Sequence, residues 1–102
     1  MGTDACPFCE IFATRSREIH FETGCFFAFT PLWPLHAGHL LIVPKRHVLD
    51  PFLLTAHEDS DLPRALRKGK TFLQERYAPE GYNIGVNCGP AGGQTIFHLH
   101  VH

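Results

Sequence analysis

The chain has 102 residues, of which 44% are hydrophobic and 19% charged, and its formal net charge is -1 at pH 7. This length predicts one domain, residues 1–102, near the lower size limit for a self-sufficient core. The near-neutral charge excludes the basic surface that binding to bulk nucleic acid or to an anionic membrane requires. No apolar run reaches about 18 residues. Residues 1–5 lack the basic and apolar regions of a signal peptide, so we expect a cytoplasmic protein.

The first half of the chain predicts a short helix and two strands. A helical turn is expected over residues 9–13, and an aromatic strand over residues 25–30 is closed by Pro31. Residues 40–43 form a continuous aliphatic run that ends at Pro44. Such a run is typical of a central strand that is buried on both faces.

The second half begins with a predicted helix. Asp59 or Ser60 can cap it, and Pro63 then falls in its first turn. The apolar residues at near-helical spacing are Leu62, Leu66, Leu73 and Tyr77. Residues 78–81 contain a proline and a glycine, which end the helix.

Two further strands are predicted at residues 82–87 and 98–102, on either side of a glycine-rich loop. Two strands, a helix and two strands with short connections make an antiparallel sheet covered by one main helix. The predicted fold class is therefore α+β.

The cysteines favour a metal site over disulfides. Cys6 and Cys9 form a close pair in a chain that has eight histidines and no signal sequence. Zinc takes four tetrahedral ligands, so this pair leaves two nitrogen ligands to be found. In an extended chain His39 and His47 lie about 26 Å apart, so these two histidines cannot bind the same ion.

The last five residues, HLHVH, alternate imidazoles with aliphatic side chains. This period of two puts His98, His100 and His102 on one face of a strand, about 6.6 Å apart in succession. The preceding loop, residues 87–95, contains three glycines that can turn backbone N–H groups towards an anion. Imidazoles beside such a cradle favour phosphate chemistry.

Three segments, in order, resemble the histidine-triad (HIT) family. Its signature of histidines alternating with hydrophobic residues resembles residues 93–102, GQTIFHLHVH. Its upstream strand resembles residues 38–47, GHLLIVPKRH, and the knuckle of its zinc-containing branch resembles residues 6–9, CPFC. The resemblance implies an antiparallel α+β meander that dimerises into a shared ten-stranded sheet. Because the family signature usually continues into a Pro-Arg pair and a C-terminal tail, we expect the native chain to extend beyond His102.

The resemblance also implies a structural zinc ion. The ligands of the zinc-containing branch match Cys6, Cys9, His47 and His98. Four protein ligands leave no open position for water, so we expect no catalytic metal. The alternative without a metal site is a pair of unligated thiols, Cys6 and Cys9, in a mobile N-terminus and a surface histidine at position 47.

Catalytic roles follow from the same resemblance. The nucleophile matches His100, with His102 donating to the phosphate or leaving group and His39 supporting the cluster. The phosphate-contacting positions of the family match Asn87, Gly93, Gln94 and Thr95. A neutral imidazole is a competent nucleophile at pH 7, and attack on an α-phosphorus gives a nucleotidyl-histidine that water can hydrolyse.

The expected function is a nucleotide hydrolase that releases a nucleoside monophosphate, typically AMP, from phosphoramidates or dinucleoside polyphosphates of a purine nucleotide. Family transferases and phosphorylases resemble His-φ-His-φ-Gln, where φ is a hydrophobic residue, so His102 favours hydrolysis. The alternatives are a zinc-stabilised nucleotide-binding module with little turnover, a nucleotidyltransferase or phosphorylase, and a catalytic metal on the three histidines. Pro31 occupies the position where the family usually has an acidic or amide residue that holds the ribose, which leaves base preference open.

Overall fold

The computed structural model describes residues 6–102. Residues 1–5, from which the sequence analysis predicts that there is no signal peptide, lie outside the described residues. The elements are α1 (Pro7–Thr14), β1 (Phe21–Glu22), β2 (Phe26–Phe29), β3 (Leu41–Pro44) and α2 (Ala56–Tyr77), with 3-10 turns at Pro51–Leu53 and Pro90–Gly92. The sequence predicts all of these except β1 and the 3-10 turns. No helix in the described part of the chain combines the length and the apolar character that a membrane span requires.

The three strands form one antiparallel sheet in the order β1-β2-β3. Phe26 pairs with Pro44 and Phe29 pairs with Leu41, and every residue of β2 and β3 is buried. The prediction that residues 40–43 form a central strand buried on both faces is therefore confirmed.

The sheet separates two cores. On one face, aromatic and aliphatic residues of β2 and β3 pack against α1 in a cluster formed by Cys6, Phe8, Ile11, Phe27, Phe29, Leu41 and Val43. On the other face, the alternate residues pack against Ala65 of α2 in a cluster formed by Phe26, Ala28, Leu40, Ile42, Ala65 and Val101. The period of two along each strand produces this division.

Helix α2 begins earlier than the sequence predicts. Thr55 is its N-cap, and a capping box joins the Thr55 and Glu58 side chains to each other's backbone N–H groups. The expected caps, Asp59 and Ser60, both lie inside the helix, where the Ser60 hydroxyl donates to the carbonyl of His57. Pro63 therefore lies in the helix interior instead of the first turn. The predicted C-terminus is confirmed, because Ala78 has a left-handed φ of 48°.

The two predicted C-terminal segments have few backbone pairs: one residue of 82–87 and two of 98–102 are paired. Val101 forms an isolated antiparallel bridge with Ile42 of β3, and Gly85 and His102 exchange both of their backbone hydrogen bonds. Neither segment forms a strand of its own, so the expectation of full strands at 82–87 and 98–102 is wrong. The segments nevertheless continue the sheet, with 98–102 between β3 and 82–87.

Candidate active site and metal centre

Cys6, Cys9, His47 and His98 converge beside the sheet, and their donor atoms all lie within 4.8 Å of one another. Cys6 is the N-cap of α1, where its Sγ accepts the N–H of Cys9, so one helical turn presents both sulfurs. His47 follows β3, and His98 lies beside Pro44 at the end of that strand. A helix start and a strand end thus bring together ligands that are distant in sequence.

The distances in this cluster fit a zinc ion. The Cys9 Sγ lies 3.2 Å from His47 Nδ1 and 3.5 Å from His98 Nδ1, and the two Nδ1 atoms lie 3.1 Å apart. A tetrahedral Cys2His2 zinc centre has ligand-to-ligand distances of roughly 3.3–3.8 Å. These three distances lie close to that geometry, whereas the widest separation in the cluster, up to 4.8 Å, would have to shorten by about 1 Å around the ion.

The protonation states also fit a cation. Burial lowers the pKa of His98 to about 4, and its Nε2–H donates to the Pro44 carbonyl at 2.9 Å, which leaves Nδ1 as a neutral ligand. Burial and the neighbouring Cys6 raise the pKa of Cys9 to about 11. A bound Zn²⁺ holds both sulfurs as thiolates and displaces their protons.

His100 lies next to the metal cluster on the same side of the chain. Its Nδ1–H donates to the main-chain carbonyl of His98 at 2.8 Å. A neutral imidazole with its proton on Nδ1 carries its lone pair on Nε2. The side chain of His100 is therefore held in the tautomer that a nitrogen nucleophile needs.

His39 and His102 form a second imidazole pair. Their rings stack with centroids 5.3 Å apart, and His39 Nε2 lies 3.0 Å from His102 Nδ1. The His102 ring is in turn 5.0 Å from the His100 ring. Burial lowers the pKa of both His39 and His102, so both rings are neutral at pH 7. The three predicted catalytic histidines are thus in contact.

Gln94 shapes the glycine-rich loop from inside. It is 3% exposed, its Oε1 accepts the N–H of Gly89, and its Nε2 donates to the carbonyls of Leu49 and Ile96. These three bonds occupy the amide, so Gln94 offers a phosphate no free side-chain donor. Its role in the loop is structural in the described geometry.

The other three predicted phosphate contacts lie on the loop surface. Asn87 Nδ2 donates to the carbonyl of Gly92 at 2.7 Å and retains a second N–H. Gly93 has a φ of 92°, and a Cβ there would lie 3.1 Å from Asn87 Nδ2, so only glycine fits. Thr95 is exposed. Asn87 and Thr95 therefore present side-chain hydrogen-bond donors at the loop surface.

Sequence reasoning missed two neighbours of the histidines. Phe8 packs edge-on against both His98 and His100, with ring centroids 5.7 and 5.0 Å away. Its position between the two cysteines was the available signal. His36 is exposed and lies beside His39, with ring centroids 6.4 Å apart.

The sequence matches the HIT domain over residues 15–102. The chain belongs to the HIT domain family. A HIT family protein from Bacillus anthracis is 32% identical, with a TM-score of 0.87 over 97% of this chain and 71% of that chain. A Zn-bound histidine triad family protein from Mycobacterium smegmatis is 27% identical, with a TM-score of 0.85 over 99% of this chain and 74% of that chain. The predicted HIT-like α+β fold and zinc centre are confirmed.

Curated relatives of this HIT domain include nucleotide hydrolases and phosphorylases. The bis(5'-adenosyl)-triphosphatase of Dictyostelium discoideum is 34% identical over 88 residues, which cover 86% of this chain and 59% of that protein. The AP-4-A phosphorylase of Mycobacterium tuberculosis is 38% identical over 104 residues, which cover 99% of this chain and 53% of that protein. The chain thus spans between half and three fifths of the length of these two enzymes.

Proposed function

We propose that this HIT domain is a nucleotide hydrolase that cleaves at an α-phosphate and releases a nucleoside monophosphate. The observation that carries the proposal is the hydrogen bond from His100 Nδ1–H to the His98 carbonyl, because it leaves the lone pair of the ring on Nε2. The His102 ring of the neutral His39–His102 pair contacts the His100 ring, and Asn87 lines the same cavity as His39 and His102. A purine nucleotide, released as AMP, is the proposed substrate class.

The reaction proceeds in two displacements. In the first, His100 Nε2 attacks the α-phosphorus, an N–P bond forms, and the P–O or P–N bond to the leaving group breaks with its electron pair going to that group. In the second, a water oxygen attacks the same phosphorus and an O–P bond forms, the N–P bond breaks with its electron pair returning to His100 Nε2, and the water gives up a proton to solvent. N–H donors of His102 and Asn87 stabilise the negative charge that develops on the phosphoryl oxygens.

The zinc ion supplies structural cross-linking in this scheme, because its four protein ligands leave no place for substrate or water. Cys6 and Cys9 tie α1 to the segment that carries His98, and His98 in turn holds His100 through its carbonyl. The metal centre therefore supports the position of the nucleophile and takes no part in bond making.

A phosphorylase is the second candidate, supported by the 38% identity with the mycobacterial AP-4-A phosphorylase. The two activities share the nucleotidyl-histidine and differ in the acceptor of the second step. Water yields AMP, whereas inorganic phosphate yields ADP from an adenylated His100. The product formed in the presence of phosphate separates them.

The test is AMP release from adenosine 5′-phosphoramidate and from diadenosine tetraphosphate, without added metal. We expect His100→Asn to reduce turnover by at least about 10³-fold, because the amide cannot form the intermediate. His57→Asn, at an exposed histidine of α2, is the matched control and should retain full activity. Release of ADP with added phosphate assigns the phosphorylase instead. Nucleotide binding without turnover by either route refutes both enzymes and leaves the binding module.

The cytoplasmic location stays a prediction. We also propose that the protein is a homodimer in which the 82–87 segments of the two chains extend the sheet. Ile84 of this segment is 61% exposed, and Gly85 is the residue whose backbone is paired to His102. Light scattering after gel filtration should give twice the chain mass. Ile84→Asp should shift the protein towards monomer, whereas Lys68→Asp on the exposed side of α2 should not; a monomeric wild type contradicts the proposal.

A further inference from the structure

Two hydrogen bonds link the backbone N–H of Leu35 to His39 and His39 to His102, and the donor in each can be assigned by starting from the backbone N–H. The N–H of Leu35 donates to His39 Nδ1 at 3.1 Å. A backbone N–H can only donate, so Nδ1 must carry the lone pair of the ring. A neutral His39 therefore holds its proton on Nε2.

The next bond passes this constraint to His102. His39 Nε2 lies 3.0 Å from His102 Nδ1, so the Nε2–H of His39 donates and Nδ1 of His102 accepts. Burial lowers the pKa of both rings, and the nearby imidazoles of His36 and His100 lower it further, so both rings hold one proton at pH 7. The remaining proton of His102 is then on Nε2, the nitrogen that faces away from His39.

We propose that Leu35 is a positioning residue of this site, because its backbone N–H fixes the tautomer of His39 and, through His39, makes Nε2 of His102 a hydrogen-bond donor. The inference deepens the proposed function, on which it rests. A His102 with the opposite tautomer would turn a lone pair towards the phosphate or the leaving group and repel it. The chain of bonds thus assigns different roles to neighbouring imidazoles, with His100 the nucleophile and His102 the donor.

The loop before β3 is built to present this amide. Pro34 restricts the chain immediately before Leu35, and Gly38 has a φ of 89°, which returns the backbone so that the N–H of His39 donates to the His36 carbonyl at 3.2 Å. The side chain of Leu35 is 82% exposed and packs little. The residue therefore acts through its backbone, and side chains of other kinds at this position should serve equally well.

The first test is NMR of the full chain with ¹⁵N-labelled histidine at pH 8, where long-range ¹H–¹⁵N spectra report the tautomer of each neutral ring. We expect Nε2–H for both His39 and His102. An Nδ1–H tautomer at either ring in the wild type overturns the proposal. This spectrum requires no turnover, so its outcome is independent of whether the protein proves to be a hydrolase.

The second test removes the donor. Leu35→Pro lacks the N–H, and Leu35→Ala keeps it and is the matched control. We expect Leu35→Pro to give His102 a mixed or Nδ1–H tautomer and to lower kcat at least about tenfold, since a wrong imidazole tautomer costs up to about 10⁴-fold in a serine-protease triad. Leu35→Ala should match the wild type in spectrum and in kcat. Unchanged tautomers in a folded Leu35→Pro protein, or altered ones in Leu35→Ala, overturn the proposal.

Discussion

Replacing Glu58 by glutamine tests how much the Glu58–Arg46 ion pair at the start of α2 stabilises the fold. The carboxylate is buried, accepts the N–H of Thr55, and receives two hydrogen bonds from the Arg46 guanidinium at 2.9 Å each. Arg46 directly precedes the zinc ligand His47. Glutamine keeps an oxygen for the cap and removes the charge that Arg46 faces.

The size of the effect follows from the carboxylate's acidity. Hydrogen bonds from Arg46 lower the pKa of Glu58 from 4.5 to about 2. At about 1.36 kcal/mol per pKa unit, this lowering corresponds to at most about 3.4 kcal/mol of folding free energy. The Arg46 side chain is 48% exposed, so solvent screens part of the interaction, and we expect Glu58→Gln to cost about 2 kcal/mol at pH 7.

The pH dependence has a definite sign. Because the pKa of Glu58 is lower in the folded protein, its contribution is fully present above about pH 4.5 and is lost as the pH falls towards about 2. Urea unfolding of both proteins at pH 7, 5 and 3, with a chelator throughout, should show the cost of Glu58→Gln shrinking below pH 4.5. Glu75→Gln, at an exposed position of α2, controls for a generic loss of charge. A cost under about 0.5 kcal/mol at pH 7, or one that is the same at pH 7 and pH 3, would refute the reasoning.

Two further changes probe the metal centre and the nucleotide site. Cys9→Ser should remove bound zinc and lower the midpoint of thermal unfolding by several degrees, because metal binding to the folded state contributes folding free energy. The control Cys88→Ser lies outside the cluster and should keep one zinc per chain in a metal assay, so equal zinc content in both variants would contradict the ligand assignment. Pro31→Asp should lower KM for adenine nucleotides about tenfold with little change in kcat, because a carboxylate there can accept hydrogen bonds from the ribose hydroxyls, as in the family pattern. The control Pro31→Ala should leave KM unchanged. If steady-state kinetics give an unchanged KM for both variants, residue 31 is not a ribose-binding position.

Local patterns in the sequence predict much of the fold. The aliphatic run of β3 is buried on both faces, and α2 ends at Ala78. The HLHVH alternation places both His98 and His100 against the Phe8 ring. These features depend on neighbours within a few residues, so periodicity, glycine and proline suffice to predict them.

The starts of α2 and β1 escaped the sequence prediction for different reasons. Both Thr55 and Ser60 can cap a helix, but Thr55 also has Glu58 three residues later, the local spacing of a capping box, which the sequence prediction did not use. Strand β1 has two residues, too few to show a pattern, and forms because Phe21 and Glu22 pair with β2. For β1 the deciding partners, Ala28 and Phe27, are more than four residues away in sequence, beyond the reach of a local pattern.

The site shows the same division. The sequence by itself indicated which residue types could form the site, because close pairs of thiols and alternating imidazoles are typical of metal and phosphate chemistry. Only the tertiary structure decided which of them meet: Cys6 contacts His98 across 92 positions and His39 contacts His102 across 63. It also turned Gln94 inward and aimed the N–H of Leu35 at His39. The protonation and tautomer of an imidazole depend on burial and on single hydrogen-bond partners, which exist only after the chain has folded.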